Sequence, residues 1–165
     1  MSWEALQDTA VKRVIVWVSL NGIQSKSIMV KSVERVDSVI RSFRLEVDIR
    51  HMSESARTAA EAADSIGCAI GQIVKSLLFE ADTVKLALLL VSGKHTVDLK
   101  KFVADWGMVL LRANPNQVRS ETGFAIRGVA PIGHLKTIDT WMDISLLDYE
   151  FVWAAAGAPN AVFSI

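Results

Sequence analysis

A single lysine sits in the middle of an apolar run, Gln72-Ile73-Val74-Lys75-Ser76-Leu77-Leu78-Phe79, and no other feature restricts the chain as much. The run is rich in β-branched and large apolar residues, so it reads as a strand. Side chains alternate between the two faces of a strand. Lys75 is therefore expected to share a face with Ile73, Leu77 and Phe79. An ammonium turned toward an apolar interior is costly unless an anion or a hydrogen-bond acceptor meets it. The residues alone leave two readings. Either the lysine snorkels from a strand end or pairs with a buried carboxylate, or it holds a ligand phosphate or carbonyl.

The rest of the chain can bury such a strand. Hydrophobic residues make up 51% and charged residues 22% of 165 positions, which suits one globular domain with a core. Eighteen Lys and Arg balance eighteen Asp and Glu. General attraction to a long nucleic-acid backbone, DNA included, is not expected, while a local basic patch for the end of a nucleic acid stays open. One cysteine, Cys68, excludes an internal disulfide and suits a reducing cytoplasm. No apolar run has the length of a membrane span. Val14–Leu20 is apolar, but Glu4 and Asp8 precede it and no small-x-small cleavage pattern follows. It reads as a short strand or helix of an N-terminal extension over 1–30, so that a chain starting at Met29 is expected to fold.

Helices and strands alternate from there. Val33, Val36, Ile40 and Phe43 recur at helical spacing over 32–43, and Leu45, Val47 and Ile49 alternate with polar residues, predicting a half-exposed strand over 44–51. Thr58-Ala59-Ala60-Glu61 is a capping box that opens a helix ending near Gly67. The lysine strand and Val84–Val91 form a predicted hairpin with its turn at Glu80-Ala81-Asp82. Asp98 caps a helix stopped by Gly107, Met108–Arg112 is a strand, and Asn114-Pro115 opens a further helix. Phe151–Ala155 and Ala161–Ile165 close the chain as strands. The pattern is α+β: a mixed, curved, barrel-like sheet flanked by helices.

Few residues announce chemistry. His51, His95 and His134 lie far apart, so no metal signature and no cofactor motif is present. Cys68 reads as a packed or accessible thiol rather than a nucleophile. Ser92-Gly93-Lys94-His95 reads as an exposed connection. The segment Gly123–His134 is different: three glycines and a proline mixed with apolar residues suggest a loop held against a core, with backbone N–H groups close to a ligand. Gly157-Ala158-Pro159-Asn160 has the same grammar.

Taken in order, these pieces resemble the YbaK/EbsC family of free-standing aminoacyl-tRNA deacylases, which is also similar to the editing domain inserted in bacterial prolyl-tRNA synthetase. The resemblance rests on Thr58–Ala63, Ile73–Phe79, Glu121–Phe124, Gly128–Gly133 and Ala156–Pro159. It covers residues 33–165, and the domain is placed at 31–165. It implies hydrolysis of the ester joining a wrong amino acid to the tRNA 3′ end, with alanine, cysteine or a similar small residue on tRNA-Pro as the expected substrate. Lys75 matches the family's hallmark lysine and is the implied catalytic residue. Gly128, Val129, Ala130, Pro131, Gly157 and Ala158 are the implied substrate-binding residues, with N–H groups around Gly128 serving an oxyanion. The implied partners are the aminoacyl-tRNA 3′ end and, as a candidate, prolyl-tRNA synthetase, in the cytoplasm and away from any membrane. Arg127 stands where many relatives carry the first glycine of the loop, and the chain stops at Ile165. The alternative to an enzyme is a module that binds tRNA ends or a small aminoacyl or nucleotide ligand without hydrolysis.

Overall fold

The computed structural model describes residues 11–13, 32–53, 56–81 and 85–165. Within them lie strands β1 (Val11–Arg13), β2 (Ile49–His51), β3 (Val74–Ala81), β4 (Lys85–Ser92), β5 (Leu110–Arg112), β6 (Asp139–Asp143), β7 (Trp153–Ala158) and β8 (Ala161–Ser164). Helices are α1 (Ser32–Ser42), α2 (Ala59–Ile66), α3 (Leu99–Trp106) and α4 (Pro115–Thr122). One sheet runs β1-β6-β4-β3-β5 and the other β2-β8-β7. Only the β4–β6 pairing in these sheets is parallel. A bridge between Ile73 and Trp153 joins the sheets, which do not close into a barrel. The α+β class matches expectation, and the barrel-like closure does not occur.

Burial on both faces explains the unbroken apolar spelling of β4. Leu86 and Leu88 enter a core with Val36 and Ile40 of α1, Phe124 and Phe163. Ala87, Leu89 and Val91 turn the other way, to Phe102 of α3 and Trp141 of β6. Phe102 and Trp141 meet edge to face at 5.5 Å, a geometry worth about 0.5–1.5 kcal/mol beyond area burial. Strand β3 divides likewise, with Val74 and Leu78 on the first side and Leu77, Phe79 and Ala81 on the second. Lys75 takes the face of Leu77 and Phe79, as alternation requires. Ile73 precedes the strand and packs instead with Ala63, Trp153 and Val162.

The caps fall where the sequence puts them. Thr58 accepts from the Glu61 N–H at 3.1 Å, and Glu61 reaches back to the Arg57 N–H at 2.7 Å, one residue before the position a strict capping box uses. Asp98 caps α3 and Asn114 caps α4, and Gly67, Gly107 and Gly123 end their helices in the left-handed conformation. One expectation fails and one element is unexpected. Residues 45–48 are not a strand; Arg44 turns the chain at φ +57° and pairing begins only at Ile49. Asp139–Asp143, unassigned from the sequence, is a strand held between β1 and β4. The predicted hairpin turn lies partly in the undescribed residues 82–84, with β3 continuing to Ala81.

Helix α1 clamps the Gly123–His134 loop. Arg35 donates to the Gly133 carbonyl at 2.7 Å and the Thr122 carbonyl at 3.2 Å, and lies 4.6 Å from the Phe124 ring centroid. His134 packs edge to face on Phe124 and donates from Nε2 to the Ala130 carbonyl at 2.8 Å. Burial lowers the His134 pKa; the Ala130 bond opposes this, the charge of Arg35 adds to it, and the net shift is downward. The folded pKa therefore lies below the unfolded value of about 6.5. The stability this group contributes is complete above that value and is lost as pH falls through the folded pKa. Thermal melts from pH 7 to 5 are expected to show a falling Tm in the wild type and a shallower fall in His134→Gln.

Val11–Arg13 lies within the expected extension, and Val14–Leu20 is outside the described residues. Val11 pairs with Asp143 and Arg13 with Trp141. Removing residues 1–28 would leave one edge of β6 unpaired. A chain beginning at Met29 is expected to fold and to melt at a lower temperature than the full chain, as thermal melting of both lengths would show.

Candidate active site

A cleft of about 340 Å³ opens between α2, β3, β7 and the 127–129 loop. Its walls are mostly apolar, built from residues such as Ala62, Ile66, Ile73, Trp153 and Val162. Three cations border it: Arg57 before α2, Lys75 on β3 and Arg127 in the loop. Among the described residues that line it there is no carboxylate and no imidazole. A chain with no net charge thus concentrates positive charge at one concave surface. Two buried polar atoms on lining residues, Ser76 Oγ and Trp153 Nε1, have no hydrogen-bond partner among the described residues. Unpaired donors of this kind are uncommon in a folded interior.

Lys75 is half-buried at the start of β3. Its ammonium donates to the carbonyls of His95 and, at 3.5 Å, Gly93. Burial lowers the lysine pKa, and the charge of Asp143 opposes that effect. The Ser92–His95 turn, read from the sequence as an exposed connection, is therefore the immediate support of the lysine. Ser92 itself is fully buried and donates from Oγ to the Gly71 carbonyl at 2.8 Å.

Asp143, absent from the sequence-level candidates, lies beneath this turn with 2% of its surface exposed. It accepts from the Ser92 N–H at 3.2 Å, from the Ser145 N–H at 3.0 Å and from the Ser145 hydroxyl at 2.8 Å. His95 Nδ1 lies 2.7 Å from the same carboxylate. Burial raises the Asp143 pKa, but the bonds from His95, Ser145 and Ser92 more than compensate, so its carboxyl stays below the usual range. An ionised carboxylate can only accept, which places a proton on His95 Nδ1. The His95 ring lines a separate cavity of about 370 Å³ beside α3, not the lysine cleft. The available signal for Asp143 was the pair Asp143-x-Ser145, in which an Asp side chain accepts from the backbone two residues on.

The structure brings some of the expected substrate-binding residues to the cleft and packs others elsewhere. Val129 lines it, and Pro159 joins it from the second glycine-containing segment. Gly128 is buried with its Cα against the Ala158 backbone, where an added Cβ would lie 3.0 Å from the Ala158 Cα. The two loops therefore meet backbone to backbone, as their small residues allow. Ala130 is fully buried in the main core, and Pro131 is half-buried. Gly157 adopts φ +91° and faces the Ser32 carbonyl of α1. The Gly128 N–H bonds the Ala125 carbonyl at 3.0 Å, so it is already committed and not available to an oxyanion. That bond closes a turn with Arg127 at its third position and φ +73°, a conformation usually given to glycine. The Cys68 thiol is half-buried, and burial raises its pKa, the opposite of what a nucleophilic thiolate needs.

Comparison with known proteins gives the family. The chain is 28% identical to YwhH of Bacillus subtilis over 81% of its length and 85% of that protein. It is 25% identical to EbsC of Enterococcus faecalis, a candidate Cys-tRNA(Pro)/Cys-tRNA(Cys) deacylase, over 68% of its length and 74% of that protein. The crystal structure of a candidate trans-editing enzyme for prolyl tRNA synthetase superposes with a TM-score of 0.75 at 41% identity, covering 86% of this chain and 88% of that one. Residues 53–165 match the model of the aminoacyl-tRNA editing domain. The chain belongs to the aminoacyl-tRNA editing domain family and is an aminoacyl-tRNA deacylase.

Proposed function

We propose that the protein is a trans-editing hydrolase that clears alanine, cysteine or a similarly small amino acid from tRNA-Pro, working beside prolyl-tRNA synthetase in the cytoplasm. The observation that carries this reading is the placement of Lys75 in a cleft that is apolar in its walls and cationic at its border. The terminal adenosine and aminoacyl group would enter the apolar part. Arg57 and Arg127, both exposed, would meet the phosphates of the 3′ end. Val129 and Pro159 would bound the aminoacyl group, with Gly128 and Ala158 holding the two loops together behind them and Ala130, Pro131 and Gly157 fixing the loop backbones.

An aminoacyl ester is already activated, so the site has to position water, stabilise a developing oxyanion and exclude the correct amino acid. Lys75 supplies the positive charge for the oxyanion. The described cleft offers no imidazole or carboxylate as a base, which fits proton transfer through the 2′-hydroxyl of the terminal adenosine itself. Hydrophobic contacts grade neighbouring side chains by only about 1–3 kcal/mol per methylene. Steric closure by the 127–131 loop would add to that discrimination.

Deacylation rates across alanyl-, cysteinyl-, seryl- and prolyl-tRNA test the reading directly; equal rates for all four would remove the small-residue assignment. Lys75→Ala is expected to abolish turnover while the protein stays folded, because burial already penalises the ammonium and removing it relieves that desolvation. Full activity in a folded Lys75→Ala protein would contradict the role given to the lysine. Arg127→Gly separates charge from backbone. Glycine relieves the positive φ, so Tm is expected to hold or rise, by about 1 kcal/mol of stability or less. Loss of one phosphate contact should raise KM and flatten the salt dependence of log KM by about 0.7 per decade of salt.

A further inference from the structure

We propose that Asp143 is the positioning residue for Lys75, acting through the Ser92–His95 turn and with His95 as its partner. The proposal rests on the reading of Lys75 as the ammonium that serves ester hydrolysis. Lys75 has no carboxylate in direct contact among the described residues; it hangs from two backbone carbonyls of one turn, those of Gly93 and His95. Carbonyls hold an ammonium in place only if their own segment is fixed. The turn is fixed at both ends by one group. Ser92 N–H and His95 Nδ1 both bond Asp143 Oδ2, at 3.2 and 2.7 Å. The turn also closes on itself, His95 N–H to the Ser92 carbonyl at 3.0 Å, and is tied to the residue just before β3 by Gly93 N–H to the Ile73 carbonyl at 2.7 Å.

The other carboxylate oxygen is occupied by Ser145, through both its N–H and its hydroxyl. Asp143 therefore cannot swing to meet Lys75 directly without breaking its own support. A purely structural carboxylate could be served by any donors. This one takes its donors from the segment whose carbonyls carry the lysine, and it places a negative charge close enough to oppose the lowering of the lysine pKa by burial. The other charged groups around Lys75 are His95 and Lys94 in the turn, and Arg57 and Arg127 at the cleft. Lys94 lies over the Tyr149 ring at 5.6 Å. Asp98 and Asp105 line the same cavity as Lys94 and His95, but Asp143 is the anion whose charge acts on Lys75.

The test uses the full chain and two independent readouts, deacylation of cysteinyl- or alanyl-tRNA over a range of pH, and NMR titration of the Lys75 side chain. Asp143→Asn keeps the shape and removes the charge. It is expected to lower kcat by about tenfold to a hundredfold, the scale of a small misplacement, with little change in KM, and to move the Lys75 titration to lower pH. His95→Ala, at a half-exposed position, is expected to fold and to lower kcat in the same direction. His95→Asn, which can offer a side-chain N–H where Nδ1 stood, should recover much of it. A Lys75 titration in folded Asp143→Asn that matches the wild type would overturn the proposal. Equal kcat in His95→Ala and His95→Asn would overturn it as well, and that arm remains decisive if Asp143→Asn does not fold. An active Lys75→Ala protein would instead sink the role of the lysine in hydrolysis, while the titration would still report whether Asp143 positions it.

Discussion

A charge buried under a turn organises the centre of this molecule. Asp143 is almost wholly removed from water, and an isolated carboxylate in that position would be very costly. Four donors from Ser92, His95 and Ser145 meet it. The carboxylate joins the end of β4, the end of β6 and the 3₁₀ turn at Ile144–Asp148. Removing any one donor would leave the charge less compensated, so these segments are held in register together. Strand β4 can then be buried on both faces, with helices covering each side, and β3 carries its lysine to the rim of the cleft.

On the proposed reading, the cleft would let a chain without net charge bind a polyanion's end. Arg57, Lys75 and Arg127 come from a helix entry, a strand and a loop, so no run of basic residues marks them. Their charges act over about one Debye length, roughly 8–10 Å at physiological salt. That range suits a few phosphates at a tRNA terminus and not a long duplex. Arg127 accepts an unfavourable backbone conformation at φ +73° in the turn that brings Val129 to the cleft wall. Strain of this kind persists where surroundings over-determine it and gathers at working surfaces. The α1 clamp through Arg35 supplies that over-determination for the following residues.

On the proposed reading, selectivity and catalysis would draw on different parts of the same fold. The proposed aminoacyl pocket would depend on close backbone contact between Gly128 and Ala158, which leaves little freedom for either loop to adjust. The ammonium depends on a turn anchored from β6, on the far side of β4 from β3. Changes in the loops would alter which amino acid fits, while changes at the turn would alter the rate for all of them.

Local chemistry wrote much of this into the sequence. Helix ends at Thr58, Gly67, Asp98, Gly107, Asn114 and Gly123 follow from side-chain caps and left-handed glycines within a few residues, and the β3–β4 hairpin follows from two long apolar runs close together. The face taken by Lys75 follows from alternation, and the family followed from spaced motifs. Where propensity had no tertiary support, as at 45–48, the expected strand did not form. Strand β6 was illegible because Asp139-Thr140-Trp141-Met142-Asp143 has no apolar period of its own; its neighbours β1 and β4 make it a strand. The partners of Asp143 lie 51 and 48 residues away in the chain, at Ser92 and His95. Sequence thus determined that a lysine needed a partner, because burying an ammonium is costly anywhere. Only the tertiary structure decided that the partner is a turn held by a distant carboxylate, because hydrogen bonds between remote segments exist only after the sheet has brought them together.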